Sequence, residues 1–279
     1  MSSMPATEAG RRILAALADP ARAPLPFRTL VLVAHPDDET IGCGGQLARF
    51  SDVTVVHVTD GAPRNGIDAV KLGYSKPADY AAARRRELEA AMHLAGIGPD
   101  RLVAPGWSDQ EAALHLAEIA RELEARLADA DCVLTHAYEG GHPDHDACAF
   151  VVHAACARLR RRGSAPAIIE MPFYRAGPEG WGVHTFIPYP QTDETVVDLD
   201  ADERTRKRDM FACHLTQIQV LARFPIEQER FRQAPNYDFL RLPNDGALLY
   251  ERENWGMTGE RWLVLAGAAL AELELREPA

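Results

Sequence analysis

Cysteine is scarce in this chain, five residues in 279, and no CxxC pair occurs. Cys43, Cys132, Cys148, Cys156 and Cys213 are odd in number and scattered, which argues against a disulfide scaffold or a thiolate zinc knuckle and fits a reducing, cytoplasmic compartment. Long cationic runs are missing too. With a formal charge of −11, this argues against a partner whose many phosphates must be neutralised, so no nucleic acid is expected. The arginines at 84–86 and 158–162 fall in helix-like segments, and most of them read as solvated faces. The apolar stretch at 13–18 is too short to span a bilayer, is closed by Asp19-Pro20 and lacks the order of a secretory signal, so no membrane partner is expected. There is no internal repeat and no low-complexity segment. What remains is an ordinary globular composition, 47% apolar and 25% charged, sufficient for a sizeable core.

Strand-type apolar runs occur at 29–33, 53–58, 101–104, 132–135 and 167–171, with a further one at 195–199. Segments 45–50, 80–95, 110–128 and 147–162 read as helices, as do 205–221 and 260–275. Strands alternating with helices predict an α/β fold, a Rossmann-like three-layer αβα sandwich with a mostly parallel sheet. Residues 222–252 are rich in Pro, Phe, Arg and Asn, show weak periodicity and read as a loop-rich C-terminal flap. The chain is therefore expected to form a single domain over 1–279, with a core at about 28–221 and a flap and final helix over 222–279.

Two short strings carry most of the chemistry, AHPDDE at 34–39 and HPDH at 142–145. Each follows a strand-like run and offers imidazole and carboxylate groups three residues apart on a Pro-containing turn. Ligands of an open parallel sheet collect beyond the carboxyl ends of its strands, so the two motifs are expected to meet despite their separation in sequence. His35 and Asp38 form one ligand pair, and one of His142 and His145 completes a set of three. Two histidines and one carboxylate with an open position are a frequent catalytic zinc site. The unused histidine and Asp37 remain for proton transfer, and the constellation predicts metal-assisted hydrolysis. The bland alternative for 37–39 alone is an acidic helix start that complements the macrodipole.

The pairing of AHPDDE with HPDH resembles the PIG-L/LmbE superfamily of zinc-dependent N-acetylglucosamine-type deacetylases, and the resemblance spans roughly residues 28–217. It implies that His35, Asp38 and His145 bind one Zn2+ per chain, that Asp37 is the general base, and that His142 protonates the leaving amine and supports the oxyanion. It also implies an amidohydrolase acting on linear amides, with an amino-sugar small molecule as substrate. Arg84 and Glu87 resemble the family's RxxE segment, whose arginine contacts substrate hydroxyls, and Asp109 occupies the place of a sugar-binding Asp. Lys207, His214 and Gln217 resemble its KxxAxxxHxSQ helix, with Met210 and Thr216 as departures; by periodicity alone Lys207 is a surface cation. His214 is carried over as substrate-binding. Some members have a tyrosine two residues before HPDH that assists the oxyanion. Gly140 stands there in this chain, so Tyr138 is taken as the nearest replacement.

The glycines at 42–45 are not spaced as a dinucleotide fingerprint and follow three carboxylates, so they read as close helix–sheet packing rather than a phosphate cradle. Phe224, Phe231, Tyr237, Phe239 and Trp255 read either as a sugar-stacking wall or as core of the flap. Alternative functions are a metal-dependent esterase or phosphoesterase, and a catalytically silent Rossmann-like binding module. Either form, monomer or homo-oligomer, is compatible with the sequence.

Overall fold

A computed structural model describes residues 6–190 and 192–275. Its centre is β1 (Leu25–Val33), whose apolar run is buried on both faces, as expected of a central parallel strand. Successive residues alternate between the two faces: Leu30 and Leu32 join one apolar cluster, Val31 and Val33 the other. Parallel to β1 on one side runs β2 (Phe50–His57), followed by the two-residue β3 (Leu102–Val103). On the other side come β4 (Cys132–His136) and β5 (Ala167–Met171), also parallel. Two antiparallel strands complete the seven-stranded sheet beyond β5: β9 (Gln228–Gln233), then β8 (Glu194–Asp198) at the edge. The order 3-2-1-4-5-9-8 reverses direction between β1 and β4. That switch point is where a crevice opens at the carboxyl edge of such a sheet.

Helices cover both faces. Helices α1 (Ala6–Ala18), α2 (Asp38–Cys43), α4 (Pro77–Leu94) and α7 (Ala201–Cys213) pack over the cluster that contains Val31 and Val33. On the opposite face α5 (Leu116–Ala128), α6 (Pro143–Arg161) and α10 (Gly259–Glu272) enclose the other cluster, with Trp262 fully buried in it. The mostly parallel αβα sandwich expected from the sequence is thus observed. Among the described residues no helix is long and apolar enough to cross a membrane.

Several elements depart from the sequence reading. The helix expected at 45–50 is a 3-10 turn, Leu47–Arg49, that leads into β2, because the helix starts earlier, at Asp38 within the first motif. Likewise α6 begins at Pro143 rather than 147, so HPDH is a helix start and not a free turn. Proline at the first helical position has no N–H to lose, and its φ is already helical. The helix expected at 205–221 breaks at His214 (φ −85°, ψ 63°), and a 3-10 turn, Leu215–Gln217, and the short α8 (Ile218–Leu221) follow. At its other end α7 starts at a capping box in which Asp200 and Glu203 each take the other's backbone N–H. The largest difference lies in the supposed flap. Residues 228–233 form β9 between β5 and β8, so the sheet continues past 221 and the proposed core boundary falls inside it. The alternating charged residues of QERFRQ hid this strand, because Glu229 and Arg232 are buried with partners instead of facing water. A short α3 (Ile67–Lys71), a small hairpin of β6 (Tyr174–Gly177) and β7 (Gly180–Val183), and α9 (Leu249–Arg252) complete the described elements.

Candidate metal and catalytic centre

At the end of β1 the chain turns sharply through His35-Pro36-Asp37. Asp37 has φ 127°, a conformation that costs a non-glycine residue about 1–3 kcal/mol and persists only when its surroundings hold it. Those surroundings are specific. The Asp37 N–H donates to Glu39 Oε2 (3.1 Å), and the Asp37 carbonyl accepts from the Ile41 N–H (2.9 Å). Arg84 donates from Nη2 to both the Pro36 carbonyl (2.7 Å) and Asp37 Oδ2 (3.1 Å), and from Nη1 to the Gly61 carbonyl (2.6 Å). Glu39 is itself fixed by His57 Nε2 (2.8 Å) and Thr40 Oγ1 (2.6 Å).

This turn and the start of α6 together bring three donors to one point. His35 Nδ1 lies 3.3 Å from Asp38 Oδ2, and His145 Nε2 lies 3.3 Å from Asp38 Oδ1. One ligand atom from each of His35, Asp38 and His145 falls within 4.8 Å of the other two. Both ring nitrogens of His145 are buried and neither has a hydrogen-bond partner. Burial and the neighbouring His136 press the His145 imidazole down to about 3, so it is neutral. Although burial opposes it, His145 and His136 hold the Asp38 carboxyl well below its usual range. A neutral imidazole with free nitrogens beside an ionised carboxylate is the state a cation requires of its ligands. His35 also faces Asp109 (3.3 Å) and Asp144 (3.2 Å) through Nε2, and these carboxylates raise its pKa well above normal against burial. A divalent cation would balance that excess of negative charge. The residues present therefore fit a metal ion.

The helix start sets the two later histidines apart. The Asp144 N–H donates to His142 Nδ1 (3.2 Å), which makes His142 the side-chain cap of α6. A neutral imidazole that accepts at Nδ1 carries its proton at Nε2. His142 Nε2 faces Asp109 Oδ1 at 3.7 Å, so its N–H is directed toward that carboxylate but beyond hydrogen-bond reach of it. Burial and His35 press His142 down to about 3, so the neutral form prevails. A second group of nearby ligand atoms comes from His35, Asp109, His142 and Asp144, in which Asp144 Oδ2 meets His35 Nε2 (3.2 Å). Asp144 anchors it, accepting from Gln110 N (2.7 Å) and Ala112 N (3.1 Å).

Asp37 lies beside this centre, lining a cavity of about 370 Å³ with His35, Asp38, Arg84, Asp109 and His142. Burial pushes its carboxyl up to about 8, against the pull of Arg84 and with a push from Asp38. Of the residues expected to hold substrate, Arg84 and Asp109 reach this cavity. His214 does not; it lies behind the turn, with Nε2 3.3 Å from Thr40 Oγ1 and 3.8 Å from Glu39 Oε1. Tyr138 requires a correction. Its ring is in the core between Tyr237, Phe239 and Trp262, its hydroxyl accepts from Trp262 Nε1 (2.7 Å) and donates to the Arg241 carbonyl (3.1 Å). Strand β4 ends at His136, and the chain that follows directs Tyr138 away from the pocket. Gly140 cannot carry a side chain there either. Its φ is +70° and a Cβ would lie 2.8 Å from Leu248, while at Gly141 one would lie 1.9 Å from the Tyr174 carbonyl oxygen.

Sequence reasoning missed three contributors. His136 stacks on His145 at 3.9 Å between centroids and accepts the Ala34 N–H at Nε2 (3.0 Å), supporting both motifs. Its position at the end of a strand beside HPDH was the available signal. Tyr174 and Trp181 line the cavity as a stacked pair (4.8 Å) on the β6–β7 hairpin. Of the five aromatics considered as a stacking wall, only Trp255 lines the cavity, 5.0 Å from the His142 ring; Phe231 and Phe239 are core. Lys207, read as a surface cation, is fully buried and paired with Glu229 (2.7 Å) while donating to the Ile41 carbonyl (2.9 Å).

Comparison with known proteins places this architecture. The family model described as "PIG-L: GlcNAc-PI de-N-acetylase" matches residues 30–156, which contain both motifs. The 1D-myo-inositol 2-acetamido-2-deoxy-alpha-D-glucopyranoside deacetylase of Mycobacterium sp. (strain KMS) is 31% identical over 235 residues, covering 70% of this chain and 75% of that protein. The chain belongs to the PIG-L family. A PIG-L relative of the same name from Streptomyces griseus is 34% identical over 152 residues, 43% of this chain and about half (46%) of its own length. Among solved structures, the A40926 pseudoaglycone deacetylase superposes with a TM-score of 0.58 at 22% identity, over 76% of this chain and 98% of that one. That likeness shows a shared fold.

Proposed function

We propose that this protein is a zinc-dependent hydrolase that removes the N-acetyl group from an amino sugar or a sugar-containing small molecule. The observation that carries the reading is the convergence of two free, buried His145 nitrogens with His35 and Asp38 beside the Asp37–Arg84 pair, in the cavity at the sheet's switch point. Family membership and the deacetylase names of the relatives support it.

A zinc ion held by His35, Asp38 and His145 would polarise the amide carbonyl and make water acidic enough to attack at neutral pH. The chain's own groups would do the rest. Asp37, whose ionised form the nearby cation would favour and which Arg84 holds, takes the proton from water as the new C–O bond forms. His142 donates its Nε2–H as a hydrogen bond toward the oxygen that gains negative charge. As the C–N bond breaks, the proton on Asp37 passes to the departing nitrogen, leaving acetate and a free amine. The cap at Nδ1 gives His142 the role of a hydrogen-bond donor more readily than that of a full proton donor, since protonation there would set two N–H groups against each other. Asp109, facing both His35 and His142, is positioned to accept a substrate hydroxyl. Five free thiols are consistent with a cytoplasmic location.

Amine release from N-acetylglucosamine conjugates, compared with phosphomonoester and simple ester cleavage, tests the reaction. Asp37→Asn should keep about one zinc per chain and lose nearly all deacetylation. Ester or phosphate cleavage without amine release, or an active Asp37→Asn protein, would overturn it.

A further inference from the structure

A fully buried histidine stands where the strand pattern calls for an apolar side chain. The β2 residues directed at the cluster that contains Val33 are Val53, Val55 and then His57, which is 1% exposed. Register sets His57 beside Val33, the last residue of β1, four positions before Asp37. From there His57 Nε2 reaches Glu39 Oε2 (2.8 Å), and the same oxygen accepts the Asp37 N–H (3.1 Å). An ionised carboxylate only accepts, so the imidazole is the donor. Glu39 Oε1 takes the Thr40 hydroxyl (2.6 Å), which holds the carboxylate at both oxygens. His214, the other histidine near Glu39, stops 3.8 Å from Oε1, outside hydrogen-bond reach. Neither His57 nor Glu39 lines the cavity.

Stability does not account for this pair. Well-packed apolar residues in place of a buried polar pair are often neutral or stabilising, and the series Val53, Val55 would simply continue. What the pair supplies is direction. Asp37 holds φ 127°, a backbone state that persists only under restraint from outside. Arg84 grips the turn at the Pro36 carbonyl and the Asp37 carboxylate, which leaves the Asp37 N–H, and Glu39 is the acceptor that closes it. Glu39 must fold back two residues to do this, and a glutamate left free would populate several rotamers. A histidine mounted on a strand removes that freedom. We infer that His57 is a positioning residue: through Glu39 it holds the Asp37 turn in the orientation that presents the Asp37 carboxylate to the metal centre. The inference rests on the reading of Asp37 as base, but the state of the turn can be measured apart from any reaction.

The test compares the zinc-loaded parent with His57→Leu and with His57→Gln, whose amide nitrogen extends as far as Nε2 and also donates. Zinc content, amine-release kinetics and amide hydrogen exchange are measured on each. In His57→Leu, kcat should fall by about tenfold to a hundredfold with KM within about twofold and zinc near one per chain, because a small displacement of the base is costly while the cavity wall is untouched. The Asp37 amide should exchange at least about tenfold faster in that variant, with Val31 and Val55 at the parent's rates. His57→Gln should return kcat to within about threefold of the parent, since the donor is restored. A His57→Leu protein as active as the parent overturns the inference, as does a His57→Gln protein no better than His57→Leu, or loss of zinc from both. Faster exchange throughout the sheet would mark general loosening and overturn it as well. Should the parent release no amine from any N-acetylglucosamine conjugate, the reaction assignment falls and exchange decides alone. Slow Asp37 exchange in the parent and His57→Gln with fast exchange in His57→Leu then upholds the positioning role, and equal exchange in all three removes it.

Discussion

Arg84 reaches Asp37 twice, at the carboxylate through Nη2 (3.1 Å) and at the turn itself through the preceding Pro36 carbonyl (2.7 Å). One side chain thus orients the carboxylate and restrains a backbone with φ 127°. Arg84→Ala should therefore reduce kcat/KM by on the order of a hundredfold or more while zinc content stays near one per chain. Arg84→Lys, which keeps charge but loses the planar fork, should recover only a small part. Zinc analysis beside amine-release kinetics checks this; activity within a few fold of the parent in Arg84→Ala would refute it.

His142 and His145 are three residues apart on one helix start and should fail in different ways. His145→Ala removes a proposed ligand and should lose zinc by at least about tenfold in affinity. His142→Ala should retain zinc but lose about a hundredfold or more in turnover, and should also lower the melting temperature, because the α6 cap contributes about 1 kcal/mol. Equal zinc loss in both proteins would mean that the tautomer argument is wrong.

Two tyrosines should separate in the same manner. Tyr138→Phe leaves the buried Trp262 Nε1 without its acceptor, at a cost of about 1–3 kcal/mol, with turnover unchanged. Tyr174 lies 5.0 Å, ring to ring, from His145 and lines the cavity. Tyr174→Phe should lower turnover on the order of a hundredfold if its hydroxyl donates to the developing charge, and leave the melting temperature unaltered. Thermal melts and kcat measured on the same preparations distinguish the two.

The fourth expectation concerns alkaline stability. Burial pushes the Glu139 carboxyl up to about 8, although its Oε1 accepts the Phe173 N–H (2.8 Å). Between its ordinary value near 4.5 and about 8, the folded chain holds a proton at this site that the unfolded chain has released. Stability from this group is thus present at low pH and falls as pH rises through that window. Glu139→Gln cannot ionise, so its melting temperature should decline less than the parent's between pH 6 and 9. Parallel melting curves across that range would contradict the assignment.

The sequence made the chemistry more legible than the architecture that supports it. His35, Asp38, His142 and His145 stood out because imidazole and carboxylate at fixed spacing after apolar runs are improbable by chance. β1 through β5 were legible for a related reason, since buried parallel strands read as unbroken apolar runs. β9 was not, because its buried Glu229 and Arg232 are paired across the fold with Lys207 and Glu170, and only tertiary contact reveals that. Tyr138 was misjudged because closeness in sequence to HPDH says nothing of direction once a strand has ended. Tyr174 and Trp181 sit on four-residue strands too short to show a period.

The cavity-lining segments 67–72 and 215–218 contribute no strand to the central sheet. Thr216 is tied to Glu87 through its hydroxyl (2.6 Å) and its N–H (3.0 Å), and Gln217 to Tyr80, so the second segment is fastened to α4 by a few polar contacts. Replacement of residues 67–72 or 215–218 would alter the border of the cavity at little cost to the core, while the residues that perform hydrolysis remain locked into strand ends and helix starts. The surface around the cavity is thus a removable fitting, which an engineer could exchange without rebuilding the machine.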